Sequence, residues 1–545
     1  MNSPLEYFLH WEEKIPKQIL FRQPIAGDWK RWTWAEAGDE TRRMASHLKS
    51  LDLAPASNIA LISKNCAHWI MADLAINMAG HVSVPLYPTL SFEVIRQILE
   101  HCDAKVIFVG KLDDYESQKT GIPDDVQKIA FATYGTRAAL TWEDLITKQD
   151  PLQKVVHRAN DDLLTIMYTS GTTGKPKGVM HINSAFDITT KEACEYLGIP
   201  EHPKLFSYLP MSHIAERMAT EMMGLYRGAT ISFAESLDTF ASNLADTQPT
   251  AFVAVPRIWA KFKEKILEKM PQHKLDRLLS IPIIKSIVKG SIKKKLGLSK
   301  AEVIISGAAP LSVDVANWFE RLGIVIMQVY GMTEDCVYAH FNTRGAYRHG
   351  TVGKPLSQLK VKIAVDNEIR VKCPGLTKGY YKEPELTAAL FDEEGYLKTG
   401  DRGEYSDDGY LTIIGRVKDQ FKTDKGKYID PAPIEAKVLE NADVEQACVV
   451  GMGVPQPIVL SVLSEAGKKK SKDDIIRSLA KTLESINPHL QSYERLASVV
   501  IMKDAWTIEN GLMTPSMKIK RNEVEKIHLK NYPKWYHEEG VVVWE

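Results

Sequence analysis

The chain has 545 residues, its 69 Lys and Arg residues balance 69 Asp and Glu residues, and 44% of its residues are hydrophobic. This length predicts about three domains, and the composition is that of a globular protein, not of a disordered or fibrous one. A net charge of zero gives no reason to expect nucleic acid as a partner. The six cysteines lie far apart without a Cys-x-x-Cys pair, which disfavours a zinc site and a disulfide framework.

The sequence gives no sign of a membrane span or a secretory leader. No stretch reaches the roughly 18 uninterrupted apolar residues that a span needs, and we expect a cytoplasmic protein with reduced thiols. Peripheral membrane contact is an option for residues 261–300, where basic residues outnumber acidic ones and residues 278–287 are apolar. A solvated helical face is the more common explanation of such a charge run.

The hydrophobic pattern between Asn58 and Gly110 alternates between short apolar runs and helical stretches. It predicts strand, helix, strand, helix, strand, with Ser91 as the N-cap of the second helix. Four further apolar runs stand next to helical segments, which predicts parallel sheets with helical crossovers. These runs cover residues 229–233, 251–255, 303–306 and 324–328.

The pattern changes after about Val361. Short alternating runs at 361–365, 368–372 and 410–414 predict a smaller antiparallel unit, and the mixed runs beyond Gly415 predict a small α+β domain. The predicted class is therefore α/β. A large N-terminal domain of parallel βα layers with a small antiparallel β unit covers residues 1–416, and a small mobile α+β C-terminal domain covers residues 417–545.

The most informative stretch, Tyr168–Gly178, follows the apolar run 163–167. Its glycines let the backbone approach phosphate oxygens, its hydroxyls donate hydrogen bonds to them, and its lysines add charge. The phosphate-binding candidates are Thr169, Ser170, Gly171, Thr172, Thr173, Gly174 and Lys175. The spacing is not that of a Walker A loop, which needs four residues between the first glycine and Gly-Lys-Ser/Thr. The alternative, a merely flexible polar loop, is disfavoured by this density of hydroxyls, glycines and lysines.

Five more segments follow in the chain, at 305–311, 328–334, 398–401, 409–419 and 510–518. Together with Tyr168–Gly178 they resemble, in order, the motifs of the acyl-adenylate-forming superfamily. That superfamily includes acyl-CoA synthetases, peptide-synthetase adenylation domains and luciferases. The resemblance spans nearly the whole chain and implies a site for ATP and AMP.

The resemblance also implies a role for individual residues. Lys518 would be the cation of the adenylation step, with Thr333, Glu334 and His213 as further catalytic residues, and Glu334 and Thr169 would bind Mg²⁺. The nucleotide would contact the 169–175 loop and Gly307, Ala308, Ala309, Gln328, Tyr330, Gly331, Thr333, Asp401, Arg416 and Lys518. Lys418 would be the hinge, and the coenzyme A side would be formed by Lys422, Gly426, Lys427 and Tyr428.

Without the family, these residues would have ordinary explanations. Lys518 would be a surface lysine beside Lys520 and Arg521, Asp401 a turn residue, and Glu334 a carboxylate at a helix start. His213 would be an ordinary hydrogen-bonded histidine instead of a residue at the mouth of an acyl pocket. The assignment of roles therefore depends on the motif context.

The segments 208–216, 253–259 and 514–521 resemble most closely the long-chain fatty acyl-CoA synthetase branch. That similarity implies a fatty acid, ATP and coenzyme A as substrates. Residues 211–215 contain no aspartate for an amino-acid ammonium group, which disfavours an amino-acid substrate. Lys425 stands where many relatives have glycine, which weakens the case for thioester formation. A ligase that loads a carrier protein and a ligase for an aryl or medium-chain acid stay open, whereas a non-catalytic binding protein is disfavoured. Chain length and oligomeric state cannot be read from the sequence.

Overall fold

The computed structural model describes residues 3–170, 176–514 and 517–545. The first part of the chain contains α1 (Pro4–Lys14), β1 (Ile19–Ile25), β2 (Asp28–Thr33), α2 (Trp34–Ser50), β3 (Asn58–Ile62), α3 (Ala67–Met78), β4 (Val82–Leu86), α4 (Phe92–Cys102), β5 (Val106–Val109), α5 (Tyr115–Gln118), β6 (Gln127–Ala130), β7 (Leu140–Thr141), α6 (Trp142–Lys148), β8 (Leu163–Ser170) and β9 (Pro176–Ile182).

The middle part contains α7 (Asn183–Leu197), β10 (Lys204–Ser207), α8 (Ile214–Glu216), a π-helix (Arg217–Met222), α9 (Met223–Arg227), β11 (Thr230–Phe233), α10 (Phe240–Thr247), β12 (Ala251–Ala254), α11 (Pro256–Lys269), α12 (Gln272–Leu279), α13 (Pro282–Lys295), β13 (Val303–Ser306), α14 (Val313–Arg321), β14 (Met327–Tyr330), β15 (His340–Phe341) and β16 (Lys354–Pro355).

The last part contains β17 (Lys360–Ile363), β18 (Glu368–Lys372), α15 (Pro384–Leu390), β19 (Leu397–Tyr405), β20 (Leu411–Arg416), β21 (Phe421–Lys422), β22 (Tyr428–Ile429), α16 (Pro431–Val438), β23 (Val444–Val450), β24 (Ile458–Leu463), α17 (Glu465–Lys468), α18 (Lys472–Ile486), β25 (Val499–Ile501), α19 (Arg521–His528), α20 (Tyr532–His537) and β26 (Val542–Trp544).

The largest sheet has seven strands in the order β7-β6-β5-β3-β4-β8-β9. All of its neighbours are parallel except β8 and β9, which form an antiparallel pair. Strands β4 and β5 are buried along their whole length, as expected for parallel strands covered by helices on both faces. The predicted strand–helix alternation is confirmed. Ser91 is the N-cap residue of α4, but its side chain makes no capping hydrogen bond.

Two further sheets complete the parallel part of the fold. One has the order β12-β13-β14-β15-β16, with its first three strands parallel, and the other has the order β10-β11-β1-β2. The strand predicted at 324–328 lies instead at Met327–Tyr330. Ile324 and Ile326 are buried in the core cluster around Phe319, so they belong to a buried connection, which hydrophobicity alone does not distinguish from a strand.

After residue 360 the sheets are antiparallel or mixed instead of mainly parallel, as predicted. Strands β17 to β20 form an antiparallel sheet in sequence order, and β23-β24-β25-β26 form a mixed sheet with its own core clusters. The predicted α/β class, with a large first part and a smaller last part, is confirmed. The boundary between residues 416 and 417 stays a prediction. Among the residues described, no helix is both long enough and apolar enough to cross a membrane.

Polar side-chain contacts join the part before β20 to the part after it, and one of them is the ion pair of Arg402 on β19 with Asp430 before α16, at 2.6 Å. Arg257 on α11 forms an ion pair with Glu445 on β23, and the Ser312 hydroxyl donates to Glu440 after α16. Burial raises the pKa of Glu440, and the neighbouring Asp314 raises it further. These contacts hold the two parts in the orientation described below.

If the Arg257–Glu445 ion pair holds the two parts together, reversing one of its charges should expose the segment that joins them to protease. Arg257→Glu should speed tryptic cleavage between residues 416 and 419 about two- to fivefold, because a partly exposed ion pair contributes little more than about 1 kcal/mol and reversal adds repulsion. Mass spectrometry of timed digests measures the rate. Combining Arg257→Glu with Glu445→Arg should restore the wild-type rate, and a double variant cleaved as fast as the single one would contradict the assigned contact.

Candidate active site

A buried carboxylate, Asp401 on β19, connects two sheets, and the site around Asp401 and Glu334 is called the cleft. The Tyr330 hydroxyl, at the end of β14, donates to Asp401 Oδ2 at 2.7 Å, and Arg416 Nε, at the end of β20, donates to Oδ1 at 2.7 Å. Asp401 and Arg416 are directly opposite each other in the β19–β20 ladder. The Asp401 carboxylate holds the pKa of Arg416 above its usual range, so this guanidinium stays charged.

Glu334 is a second buried carboxylate in the cleft. The Tyr380 hydroxyl donates to Glu334 Oε1 at 2.8 Å. Burial raises the pKa of Glu334, whereas the Tyr380 hydrogen bond and the charges of Arg416 and Lys177 lower it. The backbone carbonyl of the preceding Thr333 is hydrogen bonded to His181 Nε2 at 2.7 Å, which fixes the start of this turn.

The turn that presents Glu334 is tight and strained. Cys336 and Val337 both have positive φ angles, of 57° and 60°, and a β-branched residue rarely adopts such a conformation. Gly331 is needed where the turn closes, since a Cβ atom there would lie 2.6 Å from Val337 Cα. The structure around Gly331 and Val337 therefore fixes the position of the Glu334 side chain.

Lys518 reaches this cleft from the last part of the chain. Its backbone amide donates to Thr514 Oγ1 at 3.0 Å, and Met517 before it has a φ of 63°. Lys518 keeps an exposed surface, yet the protein packed around its ammonium group withdraws it from bulk water and lowers its pKa. Arg416 lowers that pKa further, whereas Asp401 and Glu334 raise it.

His213, at the N-cap of α8, is a further group at the cleft. Burial, together with the smaller effect of the charge of Lys518, lowers the pKa of His213 to about 4. The ring is therefore neutral at pH 7. Its Nδ1 accepts a hydrogen bond from the Ala215 amide, so the neutral ring carries its proton on Nε2.

The phosphate-loop candidates stand at the β8–β9 hairpin. Thr169 and Ser170 end β8, and Gly171, Thr172, Thr173, Gly174 and Lys175 lie outside the described residues. On the return strand, Lys177 Nζ lies 5.2 Å from the centroid of the Tyr380 ring, whose hydroxyl binds Glu334. The strand after the loop thus contributes a cation near Glu334, where the field of Lys518 also acts. Lys177, which follows the predicted phosphate loop, and Lys518, from the last part of the chain, therefore act on the same carboxylate.

The adenine-side candidates lie at the ends of β13 and β14. A Cβ atom added at Gly307 would lie 3.1 Å from Val329 Cγ2, so the backbone passes close to that side chain. The next residue, Ala308, has a φ of 66°. Ala308 and Ala309 are exposed. Gln328 has a buried side-chain oxygen without a hydrogen-bond partner in the part of the chain that the structure describes. A ligand that donates to this oxygen would satisfy it.

Hinge and coenzyme A candidates lie beyond Arg416. The Val417 amide donates to the Gly400 carbonyl at 2.9 Å, next to Lys418. In the β21–β22 hairpin, Gly426 has a φ of 75°, which favours glycine. The neighbouring Lys425 has no positive φ angle, so its own backbone does not require the glycine expected there.

The coenzyme A candidates make their described contacts within the last part of the chain. Lys422 Nζ lies 5.6 Å from the Tyr428 ring centroid, and Lys427 Nζ lies 5.6 Å from that of Tyr493. No contact between these side chains and Asp401 or Glu334 is found among the described residues. This orientation therefore joins Lys518, but not the coenzyme A candidates, to the cleft.

Sequence reasoning missed two groups that support the site. One is Tyr380, for which the Gly379-Tyr380-Tyr381 run in a loop was the only available signal. The other is the fully buried Arg217 in the π-helix after α8, which donates to Asp73 Oδ1 at 2.7 Å, to Glu221 Oε2 at 3.1 Å and to Thr165 Oγ1 at 2.7 Å. The sequence signal for this network was the pair of opposite charges at Arg217 and Glu221, four residues apart in a largely apolar stretch.

The fold and this cleft define a nucleotide-binding enzyme of a known class. Residues 9–381 match the AMP-binding enzyme family, and residues 418–539 match the AMP-binding enzyme C-terminal domain. The chain belongs to the AMP-binding enzyme family, which confirms the resemblance of its motifs.

Individual relatives are similar over almost the entire chain. A long-chain-fatty-acid–CoA ligase, FadD15 of Mycobacterium bovis, is 25% identical over 97% of this chain and 96% of its own length. Among solved structures, the adenylation domain of a carboxylate reductase from Mycobacterium chelonae has a TM-score of 0.81 at 22% identity, covering 98% of this chain and 91% of that one. The anthranilate CoA ligase AuaEII in complex with anthranoyl-AMP has a TM-score of 0.79 at 19% identity, covering 96% and 97%. The two structures share the fold.

The hydrogen bond from Tyr380 to Glu334 predicts a shifted pH dependence. In Tyr380→Phe the pKa of Glu334 should rise further, since the lost hydrogen bond stabilises the charged carboxylate. Binding of Mg²⁺–ATP, measured by calorimetry across pH, should then lose affinity at a higher pH than in the wild type. Tyr381→Phe is the control, because the Tyr381 hydroxyl contacts Asn58 instead. Identical pH profiles for Tyr380→Phe and wild type would contradict the role of this bond.

Proposed function

We propose that this protein is an AMP-forming acid–thiol ligase. It joins a long-chain fatty acid to AMP with release of pyrophosphate, and then transfers the acyl group to coenzyme A. The observation that carries the proposal is the position of Lys518, which the last part of the chain brings into the electrostatic field of Glu334, Asp401 and Arg416. A protein that only bound a nucleotide would not need a cation delivered in this way.

In the first half-reaction, a carboxylate oxygen of the acid attacks the α-phosphorus of ATP, and the bond from that phosphorus to the pyrophosphate oxygen breaks. Both reactants are anionic, so the site must supply positive charge and hold them in line. Lys518 would bridge the carboxylate and the α-phosphate. Thr333 would face the α-phosphate, and the 169–175 segment would bind the β- and γ-phosphates.

The nucleoside would lie over the Asp401 pair. Tyr330 would stack on the adenine with Gly307, Ala308 and Ala309 at the edge of the ring and Gln328 and Gly331 beside it. The Asp401 carboxylate would accept hydrogen bonds from the ribose hydroxyls, and Arg416 would hold that carboxylate and reach the ribose or phosphate.

The residues present fit a Mg²⁺ ion. Glu334 offers a buried carboxylate to which a single side chain, Tyr380, donates, and no cluster of three or more His, Cys, Asp or Glu side chains exists among the described residues. Magnesium usually takes one or two protein carboxylates and completes its shell with substrate phosphates and water. Glu334 and Thr169 would hold the ion, which would supply charge neutralisation at the phosphates.

In the second half-reaction, the coenzyme A sulfur attacks the acyl carbon, and the bond from that carbon to the AMP oxygen breaks. We propose that residues 1–416 and 417–545 act as two units that rotate about Lys418. The rotation would remove Lys518 and bring Lys422, Gly426, Lys427 and Tyr428 to the cleft. The ring contacts of Lys422, Lys427 and Tyr428 stay within residues 417–545, so these side chains would move together with that unit.

The fatty-acid assignment rests on the similarity of the motifs to the long-chain branch and on the relative that is named a long-chain-fatty-acid–CoA ligase. His213 supports it, because a neutral ring at the mouth of the pocket places no charge in the path of an apolar chain. The carboxylate-reductase domain and the anthranilate ligase keep two other candidates open, a carrier-bound acceptor and an aryl acid.

Lys518→Ala tests the catalytic assignment. Adenylation from the free acid should fall about 10²- to 10³-fold, since one charge that stabilises the transition state is lost, while thioester formation from supplied acyl-AMP should be preserved. Pyrophosphate release measures the first step and acyl-CoA the second. Lys520→Ala is the matched control. It removes a neighbouring lysine side chain but keeps the backbone hydrogen bond from the Lys520 amide to the Leu512 carbonyl. Equal loss of both half-reactions would contradict the role of Lys518.

A chain-length screen tests the substrate assignment. Each added methylene should raise kcat/KM about fourfold until the pocket is full, because burial of a methylene is worth about 0.8 kcal/mol. Pyrophosphate release from straight-chain acids of graded length and from an aryl acid, with and without coenzyme A, gives the comparison. A maximum for an aryl acid would reject the fatty-acid proposal, and AMP release that coenzyme A does not stimulate would favour the carrier-bound acceptor.

A further inference from the structure

The positive charge of this chain is concentrated in one helical segment. Residues 261–300 contain twelve Lys and Arg residues against three Asp and Glu residues, although the whole chain has a formal net charge of zero. The segment forms the end of α11 and all of α12 and α13. The carboxylate of Asp276 on α12 is paired with Arg321, and residues 282–300 contain no acidic residue.

The outer face of α13 is apolar. Ile283 is 78% exposed and Ile287, one turn further, is 67% exposed, and Ile281 just before the helix is also exposed. Residues 283 and 287 share a face because they are four positions apart. Ile292 lies on the opposite side and is buried, so α13 packs through that side. Two adjacent isoleucines that point into water in this way mark an interaction surface.

Lysines flank this apolar face at the end of α13. Lys293 and Lys295 lie on either side of it, and Lys294 continues it, because a helix turns about 100° for each residue. Lys285 and Lys289 lie nearer to the side of Ile292. Withdrawal from water lowers the pKa of Lys289, and the charges of Lys285 and Lys293 lower it further. A dense anionic surface would relieve this repulsion.

We propose that α13 binds the surface of an anionic lipid bilayer, with Ile283 and Ile287 inserted at the headgroup boundary and the flanking lysines on the lipid phosphates. A helix of this kind lies in the plane of the interface, with its apolar face buried and its basic residues paired to anionic lipids. Nucleic acid would match the charge but would leave both isoleucines in water. The inference does not depend on which acid the enzyme activates.

Vesicle flotation with the full-length protein tests the proposal. Binding to phosphatidylcholine vesicles containing phosphatidylglycerol should be strong at low salt and weak at high salt, and pure phosphatidylcholine vesicles should bind little. Changing Lys293, Lys294 and Lys295 to Gln should weaken binding about fivefold for each lysine. The pair Ile283→Ser and Ile287→Ser should weaken it about tenfold or more at unchanged charge.

Matched variants elsewhere on the surface serve as controls. Ile476 and Ile527 are also exposed, and so are Lys469, Lys530 and Lys534. Changing these isoleucines to Ser or these lysines to Gln should leave vesicle binding unchanged, and thermal unfolding checks that every variant is folded. Absence of binding at low salt would overturn the proposal. So would a lysine variant that loses binding while the isoleucine variant keeps it, since the surface would then bind polyanions, nucleic acid included, by charge alone.

Discussion

The hydrogen-bonded pair of the buried Asp401 and the half-exposed Arg416 is the interaction on which the cleft depends. Asp401 accepts hydrogen bonds from Tyr330, at the end of β14, and from Arg416, at the end of β20. It therefore links the parallel sheet to the last strand of the antiparallel sheet. Because Arg416 ends that strand, the same contact also sets where the last part of the chain begins. Removing one partner would leave the other charge poorly compensated in a partly buried place, which is the costly way to break such a pair.

The charges of the cleft act on one another as a set. Arg416 lowers the pKa of Lys518 and of Glu334, while the two carboxylates raise the pKa of Lys518. Lys518 is thus attracted and repelled in the same place. An ammonium group in such a balance can approach an anionic ligand and leave again at modest cost, as the proposed rotation about Lys418 would require.

Much of the fold could be predicted from the sequence because the central strands of its largest sheet are apolar at almost every position. Strands β4 and β5 are buried on both faces, so they are continuous apolar runs. The position of β14 was predicted three residues too early, since Ile324 and Ile326 are buried without being in a strand. The Ser91 hydroxyl lacks its predicted bond, which depends on local geometry that the sequence does not contain.

The site was predictable in part. Motif resemblance identified Tyr330, Glu334 and Asp401 as candidates, and the structure brings them to one cleft. It could not identify Tyr380, because its contact with Glu334 joins residues 46 positions apart through an irregular loop. The Arg217 network was equally hidden, since its partner Asp73 lies 144 positions away. Such contacts exist only once the sheets and helices have packed.

The β8–β9 pairing has a consequence for how this family can vary. Ser170 is opposite Pro176 and Thr169 is opposite Lys177, so the connection between the paired residues is five residues long. An insertion or deletion of one residue in either strand would turn every following side chain to the other face of the sheet and remove Lys177 from Tyr380. Residue types in this hairpin can therefore change far more readily than the length of its strands.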